Sequence, residues 1–452
     1  MEVPDPRYVR AADGAYIAYQ VVGDGAVDVA WQVDAGGCLD VWWELGWVRA
    51  WFEGLASFAR LILHDWRATG LSSRNVPVPN LETRAEDLRV VLDAAGSRSA
   101  VLGGWWESLG PCVLLAAREP ARVRALLWWN PSPRTALAPD YPWGQGPDDV
   151  ARERAAVKHW GTIEHAREWA RQVSEGFGGP IPEEAVKWWV KKCRNTCTPD
   201  VAAELDEIWW ETDVRGILPA VQVPTLLIVD DGDGGSRPEA EHVASLMPGV
   251  ARIQALPAMR GWPTGRAEIQ RIIDPRLDAV QRFIGVEPPR PAFDTILSTV
   301  LFTDIVGSTK QQARLGDRGW KAIVEQHHAT VRNALVSWRG VENDTAGDGF
   351  YATFDGPARA IHCAHEIRDG VRDLGIQVRA GIHTGECELV DGKCAGIAVT
   401  TGARIAALAQ PSQVLVSQTV KDLVAGSGFA FESAGEHELA GVPDTWRLYD
   451  AR

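Results

Sequence analysis

The run Gly285-Val286-Glu287-Pro288-Pro289-Arg290-Pro291 places three prolines within four positions and carries no apolar periodicity. Proline lacks a backbone N–H and fixes φ, so neither a helix interior nor a central strand passes through such a segment. A chain of 452 residues is also too long for one ordinary core. The run therefore separates two folding units. Residues 1–284 are expected to form the first, 285–294 a linker, and 295–452 the second.

Composition narrows the partners. With 46% apolar and 23% charged residues the chain is globular. A net charge of −14 disfavours nucleic acid and anionic membrane as partners. The most apolar stretch, 100–117, is broken by Glu107 and Ser108, so no membrane span is expected. Residues 1–30 lack a basic start followed by an apolar segment, which makes the cytoplasm the expected location. Seven scattered cysteines form no framework. Cys193 and Cys197 are four apart, but no second ligand pair for zinc lies nearby.

Before the linker, apolar runs at 29–33, 61–64, 100–102, 125–129 and 225–229 alternate with helical patterns. That alternation predicts a parallel sheet covered by helices, an α/β architecture. From 131 to 217 the strand signal gives way to Trp-bearing helical segments, which reads as a helical cap inserted into the core. Residues 5–284 resemble the α/β-hydrolase fold. The resemblance rests on His64-Asp65-Trp66-Arg67-Ala68-Thr69-Gly70-Leu71-Ser72, on Ala116-Ala117-Arg118-Glu119-Pro120-Ala121-Arg122-Val123, on Val223-Pro224-Thr225-Leu226-Leu227 and on Asp233.

Hydrolases of that fold carry a serine in a G-x-S-x-G turn, then an acid, then a histidine. Here the turn reads Gly103-Gly104-Trp105-Trp106-Glu107-Ser108-Leu109-Gly110. Trp106 takes the nucleophile position, or Trp105 if the count slips by one. Asp233 matches the acid. Gly261 stands in the loop where the histidine belongs, and no histidine occurs between His242 and His327. Without a base to take its proton, no hydroxyl is activated, so hydrolysis is not expected.

Eighteen of the 21 tryptophans precede the linker. Trp66, Trp105, Trp106, Trp128, Trp129 and Trp262 are predicted at the strands' C-terminal ends, where open α/β sheets bind ligands. They read either as indoles filling a vacated cavity or as a sensor pocket. The sensor is an aromatic cage for a flat or cationic ligand, or an indole array absorbing ultraviolet light, which resembles plant UV-B receptors.

After the linker, Leu301-Phe302-Thr303-Asp304-Ile305-Val306-Gly307-Ser308-Thr309 reads as a strand entering an aspartate and a small-residue turn. Ala346-Gly347-Asp348-Gly349-Phe350 reads as a tight hairpin turn. Two carboxylates on strand ends suit hard divalent cations and a polyphosphate. These motifs resemble the class III nucleotide cyclase domain, together with Arg379-Ala380-Gly381-Ile382-His383-Thr384-Gly385-Glu386, Arg404, and Leu439-Ala440-Gly441 to Trp446. The match runs from about 295 to 449 and implies an α+β domain.

The resemblance implies a homodimer that converts a nucleoside triphosphate to a cyclic nucleotide. Asp304 and Asp348 match its Mg²⁺ or Mn²⁺ ligands, and Arg404 matches its transition-state arginine. Backbone amides of Val306 to Thr309 are expected to cradle phosphate. Four positions depart from the family pattern. Asp344 replaces a usual lysine or glutamate, and Lys393 a usual aspartate. Thr400 replaces the transition-state asparagine, and Ala440 a phosphate-binding lysine. An acid at 344 and a cation at 393 complement the donors and O6 of guanine, which favours GTP slightly; the same two side chains also suit a mutual salt bridge that closes the pocket. Losing the lysine and the amide is expected to cost about 10- to 1000-fold each. Two expectations result: a cyclase regulated by a non-hydrolytic sensor domain, or a non-catalytic receptor in which both domains have lost turnover.

Overall fold

A computed structural model describes residues 3–33, 37–231, 237–259, 261–285, 295–390 and 393–452. The chain falls into two compact units, Met1–Ala292 and Phe293–Arg452. The linker from residue 286 to 294 lies outside the described residues.

The first unit is built on an eight-stranded sheet. Its spatial order is Arg7–Arg10, Tyr16–Val22, Arg60–His64, Asp28–Gln32, Ala100–Trp105, Val123–Trp129, Thr225–Asp231 and Ala251–Pro257. The first three strands pair antiparallel, and every pair from Arg60–His64 onward is parallel. Helices cover both faces, so the central strand Ala100–Trp105 is buried along its whole length and shows no polar alternation. Helix Leu81–Ala94 begins where the Asn80 side chain accepts the Thr83 N–H at 2.9 Å. Four cap helices, Pro147–Val157, Ile163–Phe177, Glu183–Thr196 and Pro199–Glu211, lie in the chain between strands Val123–Trp129 and Thr225–Asp231. This is the α/β-hydrolase architecture with a helical cap.

Tryptophan dominates that unit's packing. Trp31, Trp42, Trp47, Trp51, Trp105 and Trp129 surround the sheet, Trp169, Trp188 and Trp189 come from the cap, and Trp262 joins the two groups. Their ring centroids lie 4.1–6.3 Å apart in one connected network, mostly edge-on or tilted. The indole N–H groups of Trp31, Trp42, Trp47, Trp51 and Trp105 are buried without acceptors among the described residues. An unmatched buried donor costs about 1–3 kcal/mol, so contact area and ring geometry hold these side chains, against their polar atoms.

The second unit carries an eight-stranded sheet. Seven strands run in the order Val341–Ala346, Gly349–Phe354, Thr295–Ile305, Val378–Val390, Val414–Ser417, Thr445–Ala451 and Phe431–Glu438; Lys393–Ala395 pairs with Val378–Val390 off this path. Among the described residues only Val378–Val390 with Val414–Ser417 is parallel. Side-chain alternation splits the sheet into two faces. Leu301, Ala380 and Ile382 join the core packed by helices Ser308–Ser337 and Pro357–Gly370. The opposite face receives helix Ile397–Leu408. Gly381 permits that approach, because a Cβ there would stand 2.1 Å from the Ala406 amide nitrogen.

Candidate active site

Strand Thr295–Ile305 carries Asp304 near its C-terminal end, flanked by Gly349–Phe354 on one side and Val378–Val390 on the other. The antiparallel register sets Arg379 directly opposite Asp304. Its guanidinium grips one carboxylate oxygen through Nη2 at 2.7 Å and Nε at 3.2 Å, and its Nη1 donates to the Ala407 carbonyl at 3.1 Å. Arg379 therefore ties Asp304 to the end of helix Ile397–Leu408. The motif that contains Arg379 gives it no role by itself, since only the strand register makes it the partner of Asp304.

Asp348 sits in the two-residue loop between strands Val341–Ala346 and Gly349–Phe354. Gly347 precedes it at φ +66°, a conformation glycine adopts without strain. Phe350 pairs with Thr303, so the hairpin loop falls at the same end of the sheet as Asp304. The His328 ring accompanies the loop, with Nε2 3.0 Å from the Gly347 carbonyl. His327 beneath it is fully buried with neither ring nitrogen partnered among the described residues, and burial pulls its pKa down to about 4. It is therefore neutral at pH 7.

The Oδ2 atom of Asp348 is buried and has no hydrogen-bond partner among the described residues. An orphaned carboxylate oxygen beside a second carboxylate is a hard donor set that fits a divalent cation. Among the described residues no group of three or more His, Cys, Asp or Glu is placed to hold a metal ion. Mg²⁺ is usually held by one or two carboxylates plus substrate phosphates and keeps several of its waters, so two protein carboxylates suffice for it.

Arg404 and Thr400 lie one turn apart on helix Ile397–Leu408. Arg404 Nε donates to the Ala440 carbonyl at 2.9 Å. The expected arginine and the position that replaces the family lysine are thus neighbours. Thr400 Oγ1 points back to the Gly396 carbonyl at 3.4 Å. Among the described residues no hydrogen bond or ion pair joins either side chain to Asp304 or Asp348. The expected phosphate cradle is also narrower than the sequence implies. The Val306 amide donates to the Gln377 carbonyl at 2.8 Å and is not free, which leaves the amides around Gly307, the residue capping helix Ser308–Ser337.

A bulge after Glu342 brings Asp344 into register with Tyr351, which pairs with Phe302. The two rings stack with centroids 4.7 Å apart and planes 3° from parallel. Tyr351 Oη donates to the Cys394 carbonyl at 2.9 Å. Tyr351 therefore links the strand bearing Asp344 to the short strand Lys393–Ala395. Asp344 itself is exposed and accepts from the Thr345 amide at 2.9 Å. The side chain of Lys393 lies outside the described residues.

In the first unit the turn after strand Ala100–Trp105 places Trp106 at φ +47°, a strained conformation for a bulky residue. Ser108 is fully buried; its Oγ accepts the Trp105 N–H at 3.0 Å and donates to the Trp105 carbonyl at 2.6 Å. That hydroxyl closes the turn. Gly261 stands at φ +69°, and Asp233 lies outside the described residues. The 452-residue chain is expected to show no turnover of p-nitrophenyl butyrate above background. Ser108→Ala should leave that result unchanged, and a rate lost on this substitution would overturn the assignment.

The six tryptophans expected to share one pocket do not. Trp105 and Trp129 are interior members of the main core, with Trp106 and Trp262 packed against it. Trp128, adjacent to Trp129 on one strand, faces the other side of the sheet, and its indole donates to the Trp106 carbonyl. Trp66 belongs to a separate cluster with Val157 and Leu205 of the cap, under the Arg84 guanidinium at 4.6 Å.

Residues 291–449 match the family model of the adenylate and guanylate cyclase catalytic domain. An uncharacterised protein of Mycobacterium bovis is 32% identical over 150 residues, 32% of this chain and 52% of that protein. A putative adenylate cyclase 3 of Rhizobium meliloti is 27% identical over 156 residues, 32% of this chain and 26% of its own length. The chain thus spans about half and about a quarter of these relatives. A hydrolase structure from Pseudomonas aeruginosa aligns with 62% of this chain and 99% of its own, at 23% identity and a TM-score of 0.46. The C-terminal unit accordingly matches the family model of the adenylate and guanylate cyclase catalytic domain, and the strand order of the unit before it is that of the α/β-hydrolase fold.

Proposed function

We propose that the protein is a cytoplasmic, homodimeric nucleotide cyclase whose Trp-rich N-terminal unit regulates output and hydrolyses nothing. The observation that supports this most is the pair Asp304 and Asp348 at one sheet end, one of their oxygens buried and without a partner among the described residues. In the reaction the ribose 3′-hydroxyl oxygen bonds to the α-phosphorus, the bond to the β-phosphate bridging oxygen breaks, and the hydroxyl proton is lost as pyrophosphate leaves. Asp304 and Asp348 would hold Mg²⁺ or Mn²⁺, whose chemistry is Lewis-acid stabilisation of charge on the phosphate oxygens. Arg404 meets the charge on the transferring phosphoryl group, and Thr400 offers one hydroxyl donor. Among the described residues no hydrogen bond or ion pair joins Arg404 or Thr400 to the two aspartates of their own chain, and a second copy supplies them. Asp344 accepts the two donors of guanine and Lys393 reaches O6.

The test is product formation from ATP, GTP, CTP and UTP with Mn²⁺, using the full chain. Cyclic GMP in excess of cyclic AMP is expected; absence of product from every nucleotide overturns the reading. A non-catalytic receptor is the second reading. It draws on the ion pair that already occupies Asp304 and on the alanine at position 440, which donates nothing to a triphosphate.

A further inference from the structure

The sheet end where a hydrolase would bind its substrate is packed with indoles, but the cap encloses open space. A cavity of about 350 Å³ lies among helices Pro147–Val157, Ile163–Phe177, Glu183–Thr196 and Pro199–Glu211. That volume suits a small organic molecule. Its walls include the indoles of Trp160, Trp169, Trp189 and Trp209. Trp169 and Trp189 stack with planes 7° apart and centroids at 4.1 Å, forming a rigid flat wall.

The charged groups in this lining are unevenly satisfied. Lys192 is buried with its ammonium 4.3 Å from the Trp189 ring centroid, so its cation is already held. Glu168 is gripped by Arg171 at 2.6 Å and 3.0 Å. His165 is kept neutral by burial, its pKa near 4. Glu153 and Asp206, half-buried on facing helices, have no ion pair among the described residues, although Gln172 and the more distant Arg152 favour the charged form of Glu153, and Trp210 and Arg154 that of Asp206. Burial raises the pKa of both, Asp206 to about 6, and Asp206 raises Glu153 further by like-charge repulsion. The cavity therefore holds two carboxylates whose charge its environment opposes. Independently, the indole N–H groups of Trp189 and Trp209 are buried without acceptors among the described residues.

We infer that this cap cavity is a binding site for an aryl-alkylammonium compound bearing a hydrogen-bond acceptor on its ring. The ammonium group lies between Glu153 and Asp206 and pairs with the two carboxylates. The flat body lies against the Trp169–Trp189 wall, and the ring acceptor takes an indole N–H. A cation is selected over a neutral isostere because only the cation compensates the buried negative charge. This goes beyond the cyclase reading and is read out by binding alone, so it stands or falls apart from turnover.

Calorimetric titration of the full chain tests it with three probes of one shape: tyramine as the cation, 2-(4-hydroxyphenyl)ethanol as the neutral isostere, and 4-hydroxyphenylacetate as the anion. Saturable tyramine binding with unit stoichiometry is expected, at least about 10-fold tighter than the alcohol, with no heat from the anion. Glu153→Gln combined with Asp206→Asn should weaken tyramine at least about 10-fold and leave the alcohol unchanged. Equal affinity for amine and alcohol, tighter binding of the anion, or no tyramine heat at millimolar concentration overturns the assignment. The probe series on the unaltered protein decides the question even where the double variant misfolds.

Discussion

Asp304→Ala is expected to lower cyclic nucleotide production by at least about 10³-fold, which corresponds to about 4 kcal/mol of lost transition-state stabilisation. The variant removes one of two carboxylates able to bridge protein and triphosphate, and frees Arg379 to add positive charge where a metal would sit. Its folding should survive, because Asp304 is only partly buried and its partner is also solvent-accessible. Arg404→Ala should be similarly inactive alone. The decisive result comes from mixing the two inactive chains. With random pairing, half the dimers are mixed, and in each of those one site carries both lesions while the other carries neither. Recovery of about a quarter of wild-type activity is therefore expected. Failure to recover, with mixed dimers demonstrated by differential tagging, would place both residues in one chain's site and overturn the shared-site reading.

Both fold classes are legible in the amino-acid sequence, because each rests on local signals. Apolar runs separated by helical patterns describe the first sheet, and strand-turn motifs around Asp304 and Asp348 describe one edge of the second. Contacts set by register are not legible there. Arg379 lies 75 residues from Asp304 and meets it only because two long strands pair in one register. The Phe302–Tyr351 stack arises the same way. Trp128 and Trp129 are separable from sequence alone, since neighbours on a strand face opposite sides. The cap cavity is out of reach of such reasoning. Its walls come from four helices whose tryptophans look, one at a time, like ordinary amphipathic positions, and helix packing angles are not written in any single segment.

The first unit's stability depends on a residue that no sequence motif marks. Arg276, on helix Arg266–Gly285, is 0% exposed. Its guanidinium pairs with Asp230 at the end of strand Thr225–Asp231, donates to the Ile272 and Pro257 carbonyls at 2.6 Å and 3.0 Å, and stands 4.7 Å over the Trp129 ring. Asp230 also accepts from Trp129 Nε1 at 3.3 Å and from Asn130 Nδ2 at 3.2 Å. Arg276→Met keeps much of the volume but leaves a carboxylate in the tryptophan core without its cation, at a cost of about 3–5 kcal/mol. The two remaining donors place the expected loss near the lower end, about 3 kcal/mol. Urea unfolding followed by tryptophan emission reports mainly this unit, since 18 of the 21 tryptophans precede the linker. The transition midpoint should fall accordingly. Adding Asp230→Asn removes the stranded charge and keeps the side-chain shape, so the double variant should regain at least half of the loss. A loss below about 1 kcal/mol, or a double variant no more stable than the single one, would show that Arg276 contributes through packing and that the buried charge pair does not govern stability.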